Sequence, residues 1–527
     1  MKIIGSGQEL NTKIVSGVNK LADAVSATLG PKGRNVVLQE KDKRPIITKD
    51  GVSVASHFEL QDPLENIGAQ IIKQAAGKTN TDAGDGTTTS TVLARAIVNY
   101  AQKYLAAGAS PTELKRGMEK GLTQVKTLIT KHAKTISSLD EIKNIATVSA
   151  NNDTQIGTLI SLAVDKAGRD GAVSIEESRS TETLLDVVEG FKIDSGFVTP
   201  RFINDERKGS ARHNDALVLV TDHSIENVED MLPTLEIAAR EKRPLVIVAD
   251  DVSGQALASL IVNTMRGNMK IVAIKAPRYG EERRQTLSDL AISTGGVFVT
   301  RESGMQLTDV KRTHLGFVKN CETTRITTTF VGGNGDPAKI RERITALKEE
   351  IDRTADLREC ERIQERISRL QSAIAIIRVG GATEVDMMER KDRVIDALEA
   401  VKSAQAEGIL PGGGTSLVFF SMLLEKNLEK RRDLTEDERI GFKILIESMR
   451  DPLRMIATNC GLNSEVILND VKKARRFGAG YNFATGKFGS LINQGVIDPA
   501  KVTRCALENA VSAASTLLTT SHAVIEL

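Results

Sequence analysis

Aromatic residues are scarce in this sequence, and tryptophan is absent. Phe, Tyr and Trp together make up 3% of the 527 residues. Single-stranded nucleic acids bind by stacking their bases on aromatic side chains, and few are available here. The charge is also nearly balanced, with 71 Lys and Arg against 69 Asp and Glu, so no large basic field exists to attract a phosphate backbone. The composition therefore argues against nucleic acid as a partner.

Cysteines and long apolar runs are also few. The four cysteines, Cys321, Cys360, Cys460 and Cys505, are spaced like no zinc ribbon, redox pair or disulfide framework. We interpret them as free packing thiols of a reducing cytoplasm. The apolar runs are far shorter than the roughly 18 to 20 residues of a membrane span, and the N-terminus lacks the pattern of a signal peptide. We therefore expect a cytoplasmic protein without a membrane partner.

The ends of the chain have helical periodicity. At roughly 150 residues per domain, the length predicts about three domains. Apolar residues at spacings of three and four predict a helix over 8–29, and short strands are expected at 35–38 and 45–48. Helical character returns after residue 393.

The middle of the chain, residues 189–335, alternates short β-rich runs with helical stretches. Residues 217–222, 244–251 and 270–277 are the clearest buried strands. An α/β domain inserted into a helical one explains this order, since exposed loops tolerate insertions.

Residues 337–377 are predicted to form a charged helical hairpin. The seam consists of Ile340, Ile344, Leu347 and Ile351, then Ile363, Ile367, Leu370 and Ile374. A coiled coil that binds a partner gives the same pattern as an internal pair of packed helices.

The segment 83–89 reads AGDGTTT and precedes an apolar helix. Its glycines allow close approach of the backbone to a ligand, and its hydroxyls and the helix N-terminus suit phosphate oxygens. Its carboxylate suits Mg²⁺. A loop that only caps the helix gives the same pattern, and the chain has no GxxxxGK[ST] motif.

Two further glycine turns, at 28–33 and 412–414, are weak signals by themselves. Acidic residues near glycine turns or prolines are Asp50, Asp396 and Asp498. Phosphoryl transfer needs one carboxylate for the metal and another to orient or deprotonate water. Any single Asp serves equally well as a helix cap or a solvated charge.

Seven motifs resemble the group I chaperonins, the GroEL family, in order over essentially the whole chain. They are TLGPKGRNVVL at 28–38, ITKDGVSVA at 47–55, AGDGTTTSTVLA at 83–94, MLPTLE at 231–236, ATEVDMMERKDRVIDAL at 382–398, GILPGGGTSL at 408–417 and VIDPAKVTR at 496–504.

The resemblance implies an α/β multidomain subunit of three parts. A mostly α-helical equatorial domain would comprise 1–131 and 407–527, a hinged intermediate domain 132–188 and 375–406, and an inserted α/β apical domain 189–374. Such subunits form seven-membered homo-oligomeric rings, usually two back to back, with a small co-chaperonin as cap. Changed residues at the expected ring interface leave one ring or two open, and they indicate a diverged paralogue or a copy from a phage or an organelle.

The resemblance also implies a site for ATP, Mg²⁺ and K⁺. Asp396 would orient the attacking water, with Asp50 assisting, and Asp85 would bind Mg²⁺. Thr28 and Lys49 would lie near K⁺, with Lys49 beside the nucleotide as well. The phosphates would be held by Leu29, Gly30, Pro31, Gly86, Thr87, Thr88 and Thr89, and the base and ribose by Gly413, Asn482, Phe483 and Asp498, with Val148 nearby.

Non-native protein clients would bind an apolar apical face made of Phe197, Phe202, Leu232, Leu235, Leu257, Ile261 and Val262. A helix pair that packs these residues in its core is the alternative. The sequence departs from the family at Arg201, where an aromatic residue is usual, and at Phe483, where a small one is usual. Asn463 stands where an acidic partner of Arg454 is expected, and Glu465 offers a replacement across a ring interface.

The predicted function is therefore that of an ATP-dependent chaperonin whose hydrolysis of ATP times capture and folding of clients. Asp396 and Asp85 fall in different predicted domains, so hydrolysis would require domain closure. A ring that only holds clients would not need Asp50, Asp85 and Asp396 together. A small-molecule kinase would not need a large inserted domain without acid–base residues of its own.

Overall fold

The computed structural model describes residues 2–39, 45–167, 172–178, 180–205, 209–354, 356–370 and 373–526. It divides into two compact units. The helical unit comprises Met1–Leu162, Glu177–Thr183 and Val379–Leu527, and the sheet unit comprises Ala163–Glu176 and Leu184–Arg378. An α/β unit is thus inserted into a helical one. The division of the helical unit into equatorial and intermediate domains stays a prediction.

Eighteen α-helices occur in the described ranges: α1 Gly7–Ser26, α2 Gly51–His57, α3 Pro63–Ala83, α4 Thr87–Ala106, α5 Pro111–His132, α6 Leu139–Ser149, α7 Thr154–Ala167, α8 Leu232–Glu241, α9 Gly254–Met265, α10 Gly280–Thr294, α11 Pro337–Arg353, α12 Leu357–Leu370, α13 Glu384–Glu407, α14 Thr415–Leu428, α15 Glu436–Ser448, α16 Asp451–Asn459, α17 Ser464–Ala474 and α18 Ala500–Leu518. Within these described residues, no helix is both long and apolar enough to cross a membrane.

The same ranges contain nineteen strands: β1 Lys2–Ser6, β2 Val36–Leu38, β3 Ile46–Thr48, β4 Ala172–Glu177, β5 Leu184–Ile193, β6 Ala211–Thr221, β7 Ser224–Ile225, β8 Leu245–Ala249, β9 Asp251–Val252, β10 Ile271–Lys275, β11 Phe298–Val299, β12 Gly316–Thr323, β13 Thr328–Gly333, β14 Ala373–Val379, β15 Ile409–Pro411, β16 Ala479–Asn482, β17 Lys487–Ser490, β18 Ile497–Pro499 and β19 His522–Glu526. The predicted first helix and the two short strands after it are present as α1, β2 and β3.

Close packing of α1 on α3 explains part of the helical core. A Cβ atom on Gly68 would lie 2.2 Å from the Ile14 carbonyl oxygen, and one on Gly17 would lie 1.8 Å from that of Glu65. Only glycine allows the two backbones to come so close. The apolar stripe of α1, which includes Leu10 and Val18, is buried in the core of the unit. The helix thus forms where the sequence periodicity predicts it, and small residues set its distance from α3.

The sheet unit is built around a mixed sheet with the strand order β10-β8-β6-β12-β13-β5-β14-β4, and β11 also pairs with β6. Strands β10, β8 and β6 are parallel. Every residue of β8 is buried, as expected for a parallel strand covered on both faces. The three strands predicted in this region are therefore present.

The predicted helical hairpin is correct as far as residue 370. Helices α11 and α12 form it, and Leu347, Ile363 and Ile367 are buried between them and the sheet unit's core. Ile374 was assigned to the seam, but it lies in β14, where it pairs with Val188 of β5. A β-branched run, Ile374 to Ile377, supplies the strand propensity that the four-residue spacing concealed.

The four cysteines are free, and Cys321 and Cys505 are buried. Burial raises the pKa of the Cys321 thiol to about 12, so it stays protonated at neutral pH. This thiol therefore serves packing, as the sequence predicted.

Candidate nucleotide site

One cavity in the helical unit brings together every residue that the sequence assigned to nucleotide, Mg²⁺ or K⁺. The loops that precede α2, α4 and α14 line it, together with α6, α13 and the segment around β18. These residues come from distant parts of the chain. Their convergence is the main structural support for the predicted site.

The loop between α3 and α4 is shaped to receive an anion. Gly84 and Gly86 have φ of 72° and 88°, the left-handed region that favours glycine. A Cβ atom on Gly86 would lie 2.6 Å from Val502. Among the described residues, no side chain caps the N-terminus of α4, which begins at Thr87. The first N–H groups of the helix therefore lack an intrahelical partner, and Thr87, Thr88 and Thr89 line the cavity. Such an N-terminus favours phosphate oxygens.

A second loop, residues 27–31, is tied to the first. The hydroxyl groups of Thr28 and Thr88 lie 3.3 Å apart and share a hydrogen bond. The Thr28 hydroxyl also donates to the carbonyl oxygen of Val25 at 2.8 Å. Thr28 therefore connects the end of α1 to the first turn of α4.

Asp50 is both a helix cap and a cavity residue. Its carboxylate accepts hydrogen bonds from the backbone N–H groups of Val52 and Ser53 at 3.0 and 2.8 Å, at the start of α2. A Cβ atom on Gly51 would lie 2.3 Å from the Thr88 hydroxyl oxygen. The cap therefore holds Asp50 close to the start of α4 and the loop before it. Asp50 can thus cap α2 and line the cavity at the same time.

Asp85 is oriented by two donors. Its Oδ1 atom accepts the backbone N–H of Gly86 at 2.5 Å, and its Oδ2 atom accepts the hydroxyl of Ser149 at 2.8 Å. Burial raises the pKa of this carboxyl group despite both hydrogen bonds, and the charge of Asp50 raises it further. An ionised Asp85 is thus costly until a positive charge arrives.

The pKa values of Asp396 and Asp498 are raised by the same two causes, burial and neighbouring carboxylates. Burial, then the charges of Asp50 and Asp85, raise the pKa of Asp396 well above its ordinary value. Burial, then the charge of Asp85, raise the pKa of Asp498 to about 7. Asp85, Asp396 and Asp498 are therefore carboxyl groups whose ionised forms a cation in the cavity would stabilise.

The carboxylates of the cavity can hold Mg²⁺ only together with ligands from outside the protein. Among the described residues, no group of three or more His, Cys, Asp and Glu side chains is arranged to hold a metal ion. Mg²⁺ commonly takes one or two carboxylates and completes its shell with water and phosphate oxygens. Asp85, which its two hydrogen bonds orient within the loop between α3 and α4, suits this role.

Phe483 gives the cavity an aromatic lining residue. The rings of Tyr481 and Phe483 meet edge to face with centroids 5.1 Å apart, and Phe483 is buried. A Cβ atom on Gly413, whose φ is 62°, would lie 3.9 Å from the Phe483 ring. The Oδ1 atom of Asn482 accepts backbone N–H groups of its own turn at 3.0 and 3.2 Å, which leaves its amide N–H groups for a ligand.

Sequence reasoning missed several residues of this cavity, among them Ser149, Asn151, Asn152 and Arg393. Asn151 and Asn152 have φ of 56° and 65° at the end of α6; the Asn-Asn pair is a turn signal that the sequence does offer. Arg393 is held by Asp153 at 3.2 Å and Glu389 at 2.7 Å. Glu389 stands four residues before Arg393 on α13, a spacing that the sequence does show, whereas Asp153 lies 240 residues away along the chain.

The predicted client face is only partly at the surface of the sheet unit. Leu232 and Val262 are 46% and 44% exposed. Phe197, Leu257 and Ile261 are half-buried and pack against the core. Phe202 and Leu235, in contrast, are 1% and 9% exposed and belong to the core itself. Their assignment to an exposed face, which the resemblance implied, was wrong, because both side chains pack into the apolar core of the sheet unit.

The ion pair considered for a ring interface, Arg454 with Glu465, is present within this chain. Glu465 accepts a hydrogen bond from Arg454 at 2.7 Å within the same chain, and Arg454 also binds Glu447 and Asp451. Asn463 caps α17 through the backbone N–H of Glu465. Arg454 and Glu465 therefore form an ion pair within the helical unit, and a role for either residue at a ring interface stays a prediction.

These features define a class of protein: a helical unit with an acidic cavity beside a helix N-terminus, interrupted by an inserted α/β unit. Residues 21–526 match the model of the TCP-1/cpn60 chaperonin family, and the chain belongs to this family. The predicted family and fold class are thus confirmed. Membership of this family excludes the alternative of a small-molecule kinase.

A solved structure with a similar fold is that of the chaperonin gp146 from bacteriophage EL 2 (Pseudomonas aeruginosa), determined in the presence of ATP-BeFx. The TM-score is 0.68 at 21% sequence identity, and the match covers 100% of this chain and 99% of that chain. At this identity the likeness supports the fold alone.

Proposed function

We propose that this chaperonin binds and hydrolyses ATP in the cavity of the helical unit and uses the cycle to capture and fold non-native proteins. The observation that carries the proposal is the meeting of Asp50, Asp85 and Asp396 with the uncapped N-terminus of α4 in one cavity. A unit that only held clients would have no need to gather three carboxylates in one cavity, where like charges lie close together.

Each carboxylate has a distinct role in this proposal. Asp85, oriented by Ser149 and the Gly86 N–H, would hold Mg²⁺. Mg²⁺, when bound, neutralises charge on phosphate oxygens and on the neighbouring carboxylates. Asp396 would then be ionised and accept a hydrogen bond from the attacking water, with Asp50 assisting. A K⁺ ion near Thr28 and Lys49 belongs to the same proposal.

Nucleotide recognition would be divided between the two sides of the cavity. Leu29, Gly30 and Pro31, with the α4 N-terminus, would hold the phosphates. The aromatic side, Phe483 beside Gly413, offers a flat surface to the base. Asn482 and Asp498 offer polar groups to the ribose and base, with Val148 packed nearby.

Clients would bind the exposed part of the apical face, Leu232 and Val262, with the half-buried Phe197, Leu257 and Ile261 around them. Unfolded chains display apolar segments, and repeated display around a ring multiplies weak contacts. The proposal also includes assembly into seven-subunit rings, with one or two rings per particle. A small co-chaperonin would act with them, and the protein would be cytoplasmic.

Replacement of Asp396 tests it. Asp396→Ala should abolish ATP turnover and client refolding, because the water loses its acceptor, while ADP affinity stays close to the parent value since the phosphate loops are unchanged. Phosphate release, client refolding and titration calorimetry measure the three properties. Lys402→Ala, an exposed change on the same helix α13, is the control and should behave as the parent. Turnover by Asp396→Ala at the parent rate would refute the assigned role.

A further inference from the structure

The phosphate-side loop 27–31 is held from behind by a side chain that does not line the cavity. Asn459, at the end of α16, donates its Nδ2 hydrogens to the carbonyl oxygens of Ser26 and Leu29, both at 2.9 Å. Ser26 is the last residue of α1, and Leu29 lies in the loop. One half-buried amide therefore connects the helix end to the loop.

The bond to Leu29 determines the direction of the next N–H group. The described peptide bonds are all trans, and in a trans peptide the C=O and N–H point in opposite directions. While the Leu29 carbonyl points to Asn459, the Gly30 N–H points away from it. In the part of the chain that the structure describes, this N–H has no hydrogen-bond acceptor. It is therefore available to an oxygen atom in the cavity.

Backbone hydrogen bonds fix the peptides on either side, from the Leu29 N–H to Ser26 and from the Gly33 N–H to Gly30. Among the described residues, the Leu29–Gly30 peptide has only its bond to Asn459. Gly30 has a φ of 87°, and glycine allows rotation of the peptide that other residues resist. Pro31 has no N–H group. A Cβ atom on Gly30 would lie 2.9 Å from Ile456, so α16 also packs directly against the loop. Packing restricts the position of the loop, but it does not select the orientation of the Leu29–Gly30 peptide.

We propose that Asn459 is a positioning residue for nucleotide binding: it holds the Leu29–Gly30 peptide so that the Gly30 N–H can donate to a phosphate oxygen. The inference rests on the proposed nucleotide site and adds a residue that acts through the loop. Its effect is expected on affinity, since Asp50 and Asp396, which would serve the water, do not touch this loop by hydrogen bonds.

ADP titration calorimetry on the full-length protein tests the inference. Asn459→Ala, which loses both donors, should raise the Kd for ADP about tenfold. Asn459→Asp should raise it more at neutral pH, because a carboxylate would face two carbonyl oxygens. In both variants kcat at saturating ATP should stay within about twofold of the parent while KM rises. Ser421→Ala, which removes buried hydrogen bonds in α14 away from the cavity, is the control and should leave Kd unchanged.

A pH series adds a readout that general destabilisation would not move. A protonated Asp can donate one hydrogen bond, so the ratio of Kd between Asn459→Asp and the parent should fall as pH drops from about 8 to about 5.5. If Asn459→Asp does not fold, Asn459→Ala decides alone. Kd values within twofold of the parent would overturn the inference and leave the proposed function standing. Failure of the parent to bind ADP would refute both.

Discussion

The two apolar residues Leu235 and Val262 test whether the apical face is a surface or a core. Leu235 is 9% exposed and Val262 is 44% exposed. Burying a Leu side chain contributes about 1.5 to 3 kcal/mol, and a serine hydroxyl placed there without a partner costs about 1 kcal/mol or more. We therefore expect Leu235→Ser to lower the free energy of unfolding by about 3 kcal/mol. Val262→Ser should lower it by about 1 kcal/mol or less.

The effects on client binding should have the opposite order. Val262→Ser removes apolar surface that a client would contact, so capture of a chemically unfolded protein should weaken while the fold stays intact. Leu235→Ser should alter capture only near its own unfolding transition. Denaturant titration of each variant gives stability, and competition with a fluorescent unfolded protein gives capture. If Val262→Ser destabilises the chain as much as Leu235→Ser and leaves capture unchanged, the face is a core and clients bind elsewhere.

Two further predictions concern the helical unit. Burial raises the pKa of Asp498 in the folded protein to about 7, above its unfolded value near 4, so the protonated form favours folding. The free energy of unfolding of the nucleotide-free protein should therefore fall as pH rises from about 4 to about 7. Asp498→Asn should flatten this dependence in denaturant titrations. Gly68→Ala should destabilise by about 1 to 3 kcal/mol, because its Cβ would meet the Ile14 carbonyl oxygen at 2.2 Å, whereas Gly77→Ala on the same helix, with nothing within 4 Å, should stabilise by about 0.5 to 1 kcal/mol in thermal melts. Equal effects of the two glycine changes would contradict the close approach of α1 and α3.

The glycine and acidic motifs were informative because each has a local physical meaning. Gly86 before Thr87 predicts a backbone turn into a helix, and the structure shows that turn with a positive φ. Asp50 before Gly51 predicts a helix cap, and it caps α2. Such features depend on a few neighbouring residues, so a single sequence reveals them.

The errors arose where the partner is far along the chain. Whether Phe202 and Leu235 face solvent depends on the core into which they pack, and a resemblance in sequence shows only that these positions are apolar. Arg454 illustrates a related choice, because Glu465, considered as its partner across a ring interface, lies 2.7 Å from it within the same chain. Long side chains can choose among several partners, and only packing decides between them.

The sequence by itself determined the family, the inserted α/β unit and many residues of the cavity, because those depend on ordered motifs and on hydrophobic period. The tertiary structure alone decided the electrostatics of that cavity. Asp85, Asp396 and Asp498 are ordinary carboxylates in the sequence, and their raised pKa values come from burial and from one another. The same holds for Asn459, whose two hydrogen bonds join segments some 430 residues apart. Such couplings exist only once the fold has brought the segments together.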